Sequence, residues 1–91
     1  MTGDDVFFLY DETENTESRF VSFVGETNRF DLCIITTDRF FGKKLVLNMQ
    51  SNKFAVLGQD DLEEAGYLER AYNVSPEEAA ELTQFLSDIL V

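Results

Sequence analysis

The chain contains few side chains that could carry out chemistry, and their surroundings do not favour it. Its single cysteine, Cys33, lies in the apolar run of residues 30–36, where we expect a buried and inert thiol. Histidine, the commonest general base and transition-metal ligand, is absent from the sequence. The five glycines are scattered instead of gathered in a phosphate-binding loop. We therefore expect no catalytic residue, no cofactor and no enzyme activity.

One acidic segment has part of the spacing of a calcium site. Asp11, Thr13 and Asn15 stand at alternate positions, like the first ligands of an EF-hand loop. The sixth position is Thr16 where the loop requires glycine, and the twelfth is Ser22 where it requires a bidentate glutamate. We expect a flexible acidic loop here and no metal site.

Two adjacent pairs of carboxylates, Asp60 with Asp61 and Glu63 with Glu64, could act as acid and base only if they pointed to one centre. Neighbours at the start of a helix point in different directions. These residues are therefore predicted to be helix caps and solvated charges.

Size and composition predict one domain over residues 1–91, with residues 1–5 as a disordered tail. The apolar fraction of 44% with nine phenylalanines is sufficient for one core. No apolar run reaches the roughly 18 residues of a membrane span, and the start lacks the basic and apolar regions of a secretory signal. A lone cysteine forms no intramolecular disulfide, so we predict a cytoplasmic protein that does not bind membranes.

The formal net charge of -11 is unevenly distributed. Residues 1–18 hold six acids and no base, residues 19–58 six bases and three acids, and residues 59–91 nine acids and one base. Such a field repels nucleic-acid phosphates and favours cationic partners, although a solvated acidic face accounts for much of it. No nucleic-acid binding is expected.

Residues 37–44, "TDRFFGKK", contain two phenylalanines and three of the seven basic residues in a connection between two predicted strands. One ring of an adjacent pair usually points inward, which leaves the other partly exposed. Interface centres are enriched in aromatic residues and arginine. The candidate interaction site is Arg39, Phe40, Phe41, Lys43 and Lys44.

Alternating apolar residues predict two antiparallel hairpins. A tight turn at residues 25–28 sets Phe23 opposite Phe30 and Val21 opposite Leu32 on one face.

For the second hairpin, a two-residue turn at residues 51–52 sets Met49 opposite Phe54 and Leu47 opposite Val56.

Helical signals begin at Gln59. Asp60 or Asp61 is predicted as the N-cap, and Gly66 divides the segment into two short helices. Ser75, followed by Pro76 and by Glu78 at the third helical position, forms a capping box. A stripe at three- and four-residue steps predicts one amphipathic helix: Ala79, Leu82, Phe85, Leu86, Ile89 and Leu90.

The predicted fold class is α+β, an antiparallel meander of four to five strands with C-terminal helices packed on one face. Residues 6–10, "VFFLY", are the candidate fifth strand. The sheet face away from the helices is predicted to be too apolar to remain exposed to solvent. It would be covered by the N-terminal segment, by closure toward a barrel or by a second subunit, and we predict a homodimer. The residues assigned to that face are Phe20, Val24, Cys33, Ile35, Val46 and Leu57, beside Ser22, Asp31 and Asn48.

The runs "RFVSF", "RFDL", "RFFGK" and "DDLEEAGYL" carry a resemblance to a known family. From about residue 6 to its end, the chain resembles small, acidic, cytosolic proteins of low-GC Gram-positive bacteria that form a domain of unknown function. The resemblance implies a single compact domain in the cytosol and no assigned site.

The leading hypothesis is a non-catalytic module that self-associates and contacts another cytosolic protein. The alternatives are a module that binds a small ligand or metal through carboxylates, and an acidic mimic of nucleic acid.

Overall fold

The structure, a computed structural model, describes residues 6–26 and 28–90, so the predicted tail at residues 1–5 lies outside the described residues. An antiparallel meander in the order β1-β2-β3-β4 is followed by three helices, which confirms the α+β prediction. No fifth strand forms at residues 6–10, whose side chains are exposed. The strands are β1 (Glu17–Val24), β2 (Arg29–Thr36), β3 (Lys44–Asn48) and β4 (Lys53–Leu57), and the helices are α1 (Gln59–Glu63), α2 (Tyr67–Tyr72) and α3 (Pro76–Ile89).

The first hairpin has the predicted register. Phe23 pairs with Phe30 and Val21 with Leu32, and the Phe23 and Phe30 rings stack with centroids 5.0 Å apart. The Phe85 ring of α3 stacks on the other side of Phe23, at 4.6 Å. The cross-strand aromatic pair therefore also anchors the last helix.

The predicted register of the second hairpin is wrong by two residues. Leu47 pairs with Phe54 and Leu45 with Val56, so a four-residue loop, residues 49–52, replaces the predicted two-residue turn. Asn52 adopts the left-handed conformation with φ 58°, which an asparagine tolerates better than most residues.

The second hairpin also presents its two faces the other way round from the prediction. Because Ile35 pairs with Leu45 across β2 and β3, Val46 and Leu57 lie beneath the helices and are fully buried. Asn48, which was assigned to the far face with them, is also buried there, at 5% exposure. The open face of this hairpin is the more apolar of the two, because the covered face also carries Lys44, Asn48 and Lys53, so alternation alone favours the wrong face.

One hydrophobic core lies between the sheet and the helices. Strands and helices both contribute to it, and the predicted stripe of α3 supplies three of its members from within that helix. The buried members are Phe30, Leu32, Ile34, Val46, Leu57, Leu68, Tyr72, Ala79, Leu82, Leu86 and Leu90.

The helix boundaries follow the predicted signals, with one correction. Ser75 and Glu78 form the capping box of α3: Glu78 N donates to Ser75 Oγ at 3.1 Å, and Ser75 N donates to Glu78 Oε1 at 2.9 Å. Gly66, with φ 79°, separates α1 from α2. The N-cap of α1 is Gly58 instead of an aspartate; Asp61 accepts the Gly58 N–H at 2.8 Å.

Tyr72 joins the helices to the centre of the sheet. Its hydroxyl donates a 2.7 Å hydrogen bond to the Val46 carbonyl oxygen of β3, and its side chain is buried. Burial raises the pKa of Tyr72, so the hydroxyl stays protonated and remains a donor.

We expect Tyr72→Phe to destabilise the protein by about 1 kcal/mol, because the buried carbonyl loses a hydrogen-bond donor while the ring keeps its packing. Thermal unfolding followed by circular dichroism should show a melting temperature lower by about 4–8 °C. Tyr10→Phe is the matched control, since Tyr10 is 68% exposed. Equal melting temperatures for the two variants would contradict this role of Tyr72.

Candidate interaction surfaces

The sheet has a second face that the helices do not cover, here called the open face. A row of side chains crosses all four strands on it: Phe20 pairs with Cys33, Cys33 with Leu47, and Leu47 with Phe54. A parallel row beside it consists of Ser18, Ile35, Leu45 and Val56. Neither row contains a charged side chain.

Large apolar side chains of the open face are exposed. Phe20 is 70% exposed, Phe54 62% and Val24 80%, although each lies in a strand. Met49, which follows β3, is 43% exposed. Sequence reasoning placed Phe20 and Val24 on this face but missed Leu47, Met49 and Phe54, because it reversed the second hairpin.

Cys33 is shielded at the centre of the open face. Its two cross-strand neighbours are Phe20 and Leu47, and the cysteine is only 6% exposed. The thiol therefore behaves as a small apolar side chain, as its sequence context predicted.

A polar cluster borders the apolar rows on one side. Asp31 accepts hydrogen bonds from Ser22 Oγ at 2.6 Å, from Gln50 Nε2 at 2.9 Å and from Arg29 Nη2 at 3.2 Å. The Ser22 hydroxyl, followed by Arg29, lowers the pKa of this carboxyl group. Asp31 is therefore already satisfied within its own chain.

Residues 37–43, here called the connector, join β2 to β3 and hold one phenylalanine in solvent. Asp38–Phe40 form a single 3₁₀ turn, and Phe41 follows it with φ 54° in the left-handed region. Phe41 is 99% exposed, whereas Phe40 is half-buried. The expectation that one ring points inward and the other is exposed matches this arrangement.

The three bases of the candidate site contact oxygen atoms of the same chain. Lys43 Nζ lies 3.0 Å from Asp61 Oδ2 and 3.5 Å from Asp60 Oδ2, and the Asp61 contact is the main reason that the pKa of Lys43 is raised. Lys44 Nζ donates to Thr36 Oγ1 at 3.0 Å. Arg39 binds the N-terminal segment. The structure thus places the five predicted residues at one end of the sheet. Of the two phenylalanine rings there, that of Phe41 is more exposed than that of Phe40.

Arg39 fastens the N-terminal segment to the connector. Its guanidinium lies 2.8 Å from Glu12 Oε1 and 2.6 Å from Glu14 Oε1, and its central carbon lies 5.5 Å from the centroid of the Tyr10 ring. The Thr37 hydroxyl donates a hydrogen bond to Glu14 Oε2.

A groove of about 640 Å³ lies between the tip of the first hairpin and α3. Its apolar lining includes Phe23, Val24 and Phe85, and its acidic lining includes Glu26, Glu77, Glu81 and Asp88. This mixed apolar and acidic lining suits the ligand-binding alternative.

The described residues contain neither a metal-binding cluster nor a helix that could span a membrane. Within residues 6–26 and 28–90, no three side chains of the metal-binding types are grouped so that they could hold an ion. None of the helices in those residues has both the length and the apolar character needed to cross a bilayer.

The model of one protein family, described as SAV0927-like, matches residues 9–88. The chain belongs to the SAV0927-like family. The matched region begins within the exposed N-terminal segment and extends from there through all four strands into α3, so the family pattern includes the open face and the connector. A search of the curated proteins found no match.

Acid is expected to release the N-terminal segment from the connector. The Thr37 hydroxyl, followed by Arg39, holds the pKa of Glu14 below its usual range. A carboxylate with a lowered folded-state pKa contributes fully above its ordinary pKa of about 4.3 and loses that contribution as the pH falls through the folded-state value. NMR signals of Thr37 and Arg39 should therefore shift in that acidic window.

Glu14→Gln should show the released signals already at neutral pH and should lack this titration. Glu17→Gln, which makes the same change of charge at the start of β1, is the control and should titrate like the unmodified protein. Identical titrations of Thr37 in the two variants would contradict the attachment through Glu14.

Proposed function

We propose that the protein is a non-catalytic interaction module that self-associates through its open face and presents the connector to a second protein. The observation that carries the proposal is the exposure of Phe20 and Phe54 at the two ends of an uncharged row that crosses the open face. Large exposed apolar patches mark sites of protein–protein interaction.

Burial of Phe20 and Phe54 supplies a driving force for self-association through the open face. Full burial of a phenylalanine side chain stabilises by about 1.5–3 kcal/mol. In a symmetric pair, Phe20 and Phe54 each occur twice, so four rings leave water together. The two apolar rows contain no charge whose desolvation would oppose this contact.

Charge predicts how the association responds to salt. Each copy carries a formal net charge of -11, so two copies repel one another at long range. Salt screens this repulsion and leaves the apolar contact intact. Self-association should therefore strengthen with ionic strength, whereas a contact based on opposite charges would weaken.

The connector supports a contact with a different protein. A left-handed phenylalanine costs roughly 1–2 kcal/mol relative to the right-handed conformation, and Phe41 gains no burial in return. Strained residues cluster at functional sites, and exposed aromatic side chains are frequent anchors of interfaces. The half-buried Phe40 and the ion pairs of Lys43 and Arg39 attach the connector, which carries this ring, to the rest of the chain.

We assign the protein to the bacterial cytoplasm as part of the proposal. A single buried thiol, Cys33, suits a reducing compartment, and the family resemblance points to the same place.

Sedimentation equilibrium should show that the native chain associates and that Phe20→Ser/Phe54→Ser does not. The double variant removes two open-face rings that are exposed in the single chain, so its circular dichroism spectrum should remain native. Phe41→Ser is the control because it removes an even more exposed ring outside the open face, and it should associate normally. A native chain that stays monomeric at high protein concentration and high salt would refute the self-association.

Phe41→Asn should keep or slightly raise the melting temperature, because asparagine tolerates the left-handed region. The same variant should no longer capture a cytosolic partner when the tagged protein is used as bait. Phe20→Ser/Phe54→Ser should retain that partner, which separates the two surfaces. Equal recovery of the partner by Phe41→Asn and by the native chain, quantified by mass spectrometry, would remove the connector from the proposal.

A further inference from the structure

We infer that residues 6–10 of one copy add to the free edge of β1 in a second copy, and that two copies exchange these segments reciprocally. This inference rests on the proposed self-association and adds a second contact to it, at the edge of β1 beside the open face.

Residues 6–10 have the composition of a strand that is buried on both sides. All five side chains are apolar or aromatic, which is typical of an interior strand. In the single chain they are exposed: Phe7 at 88%, Phe8 at 74% and Leu9 at 96%. The segment lies in no strand or helix. The described chain therefore contains strand-like sequence without a strand partner.

The complementary element is β1, which forms an edge of the sheet in the described structure. The part of β1 that spans residues 20–24 carries no charged side chain, and it contains none of the proline or lysine residues that usually protect edge strands. Phe20 and Val24 lie on the open face beside this edge, whereas Val21 and Phe23 lie half-buried on the other face. A strand added here would place alternate side chains beside both apolar pairs.

The contacts of Arg39 hold the N-terminal segment on the side of β1 that is opposite its free edge in the same chain. Tyr10, Glu12 and Glu14 all contact Arg39, and Glu14 also accepts the hydrogen bond of Thr37. These partners belong to the connector between β2 and β3, which lies on the side of β1 opposite its free edge. Glu12 and Glu14 lie outside residues 6–10, so their contacts with Arg39 and Thr37 can persist when the segment pairs with a second copy.

The area involved is sufficient for a stable dimer. The three aromatic side chains of one segment bury roughly 150–250 Å² each, or about 500 Å² in total after allowing for their partial exposure. Two segments and the two surfaces they cover then remove on the order of 2,000 Å², which lies within the range of specific interfaces. Exchange of identical elements is also a low-cost route to a two-fold dimer.

Amide hydrogen exchange, measured by NMR on the native chain, tests the inference. Alternate amides of β1 point away from β2, and only an added strand gives them hydrogen-bond partners. We expect these outward amides to exchange at least about tenfold more slowly in the associated protein than in Phe7→Ser/Phe8→Ser/Leu9→Ser. Amides that form hydrogen bonds between β2 and β3 should exchange at the same rate in the native chain and in the triple variant. Equal rates there would show that the variant keeps the fold.

Dilution distinguishes exchange between copies from pairing within one chain. The protection of the outward amides should disappear on dilution to monomer, and protection that persists at every concentration would overturn the inference. Outward amides that exchange freely in an associated protein would also overturn it, while leaving the proposed self-association intact. A native chain that is monomeric throughout would refute both.

Discussion

The structure depends on one imbalance: its sheet is apolar on both faces, and the helices cover only one. Phe30, Val46 and Leu57 are sealed beneath the helices, while Phe20 and Phe54 on the opposite face are mostly exposed. The favourable free energy of hydrophobic burial is roughly proportional to the apolar area that is removed from water. A partner that covers the second face would therefore gain binding free energy from it. The proposed function follows from this uncovered area.

How far the sequence predicts the fold depends on whether the two faces of each element differ. In the first hairpin, Ser22 and Asp31 lie opposite the Phe23 and Phe30 face, and that contrast fixed the register correctly. In the second hairpin the open face is the more apolar one, so alternation favours the wrong covered face, and a slip by two residues leaves the alternation unchanged. The pairing of Ile35 with Leu45 across β2 and β3 places Val46 on the side of the sheet that the helices cover, and this pairing is a tertiary contact.

The candidate site illustrates the limit of charge patterns read from sequence. The aromatic and basic composition of the connector predicted an interaction surface, yet Lys43 and Arg39 bind acids of α1 and of the N-terminal segment. Such pairs depend on tertiary contacts that no local pattern contains. The feature of the candidate site that remains exposed is Phe41, which adopts the left-handed conformation next to the point where Tyr10 and Glu14 contact Arg39.

Isotope-filtered NOE spectroscopy on a mixture of ¹³C-labelled and unlabelled copies tests the central claim most directly, because it detects only contacts between different molecules. The account predicts intermolecular contacts from the rings of Phe20 and Phe54, the side chains that the helices leave uncovered. An associated protein whose intermolecular contacts arise only from residues outside the open face, such as Phe41, would contradict it.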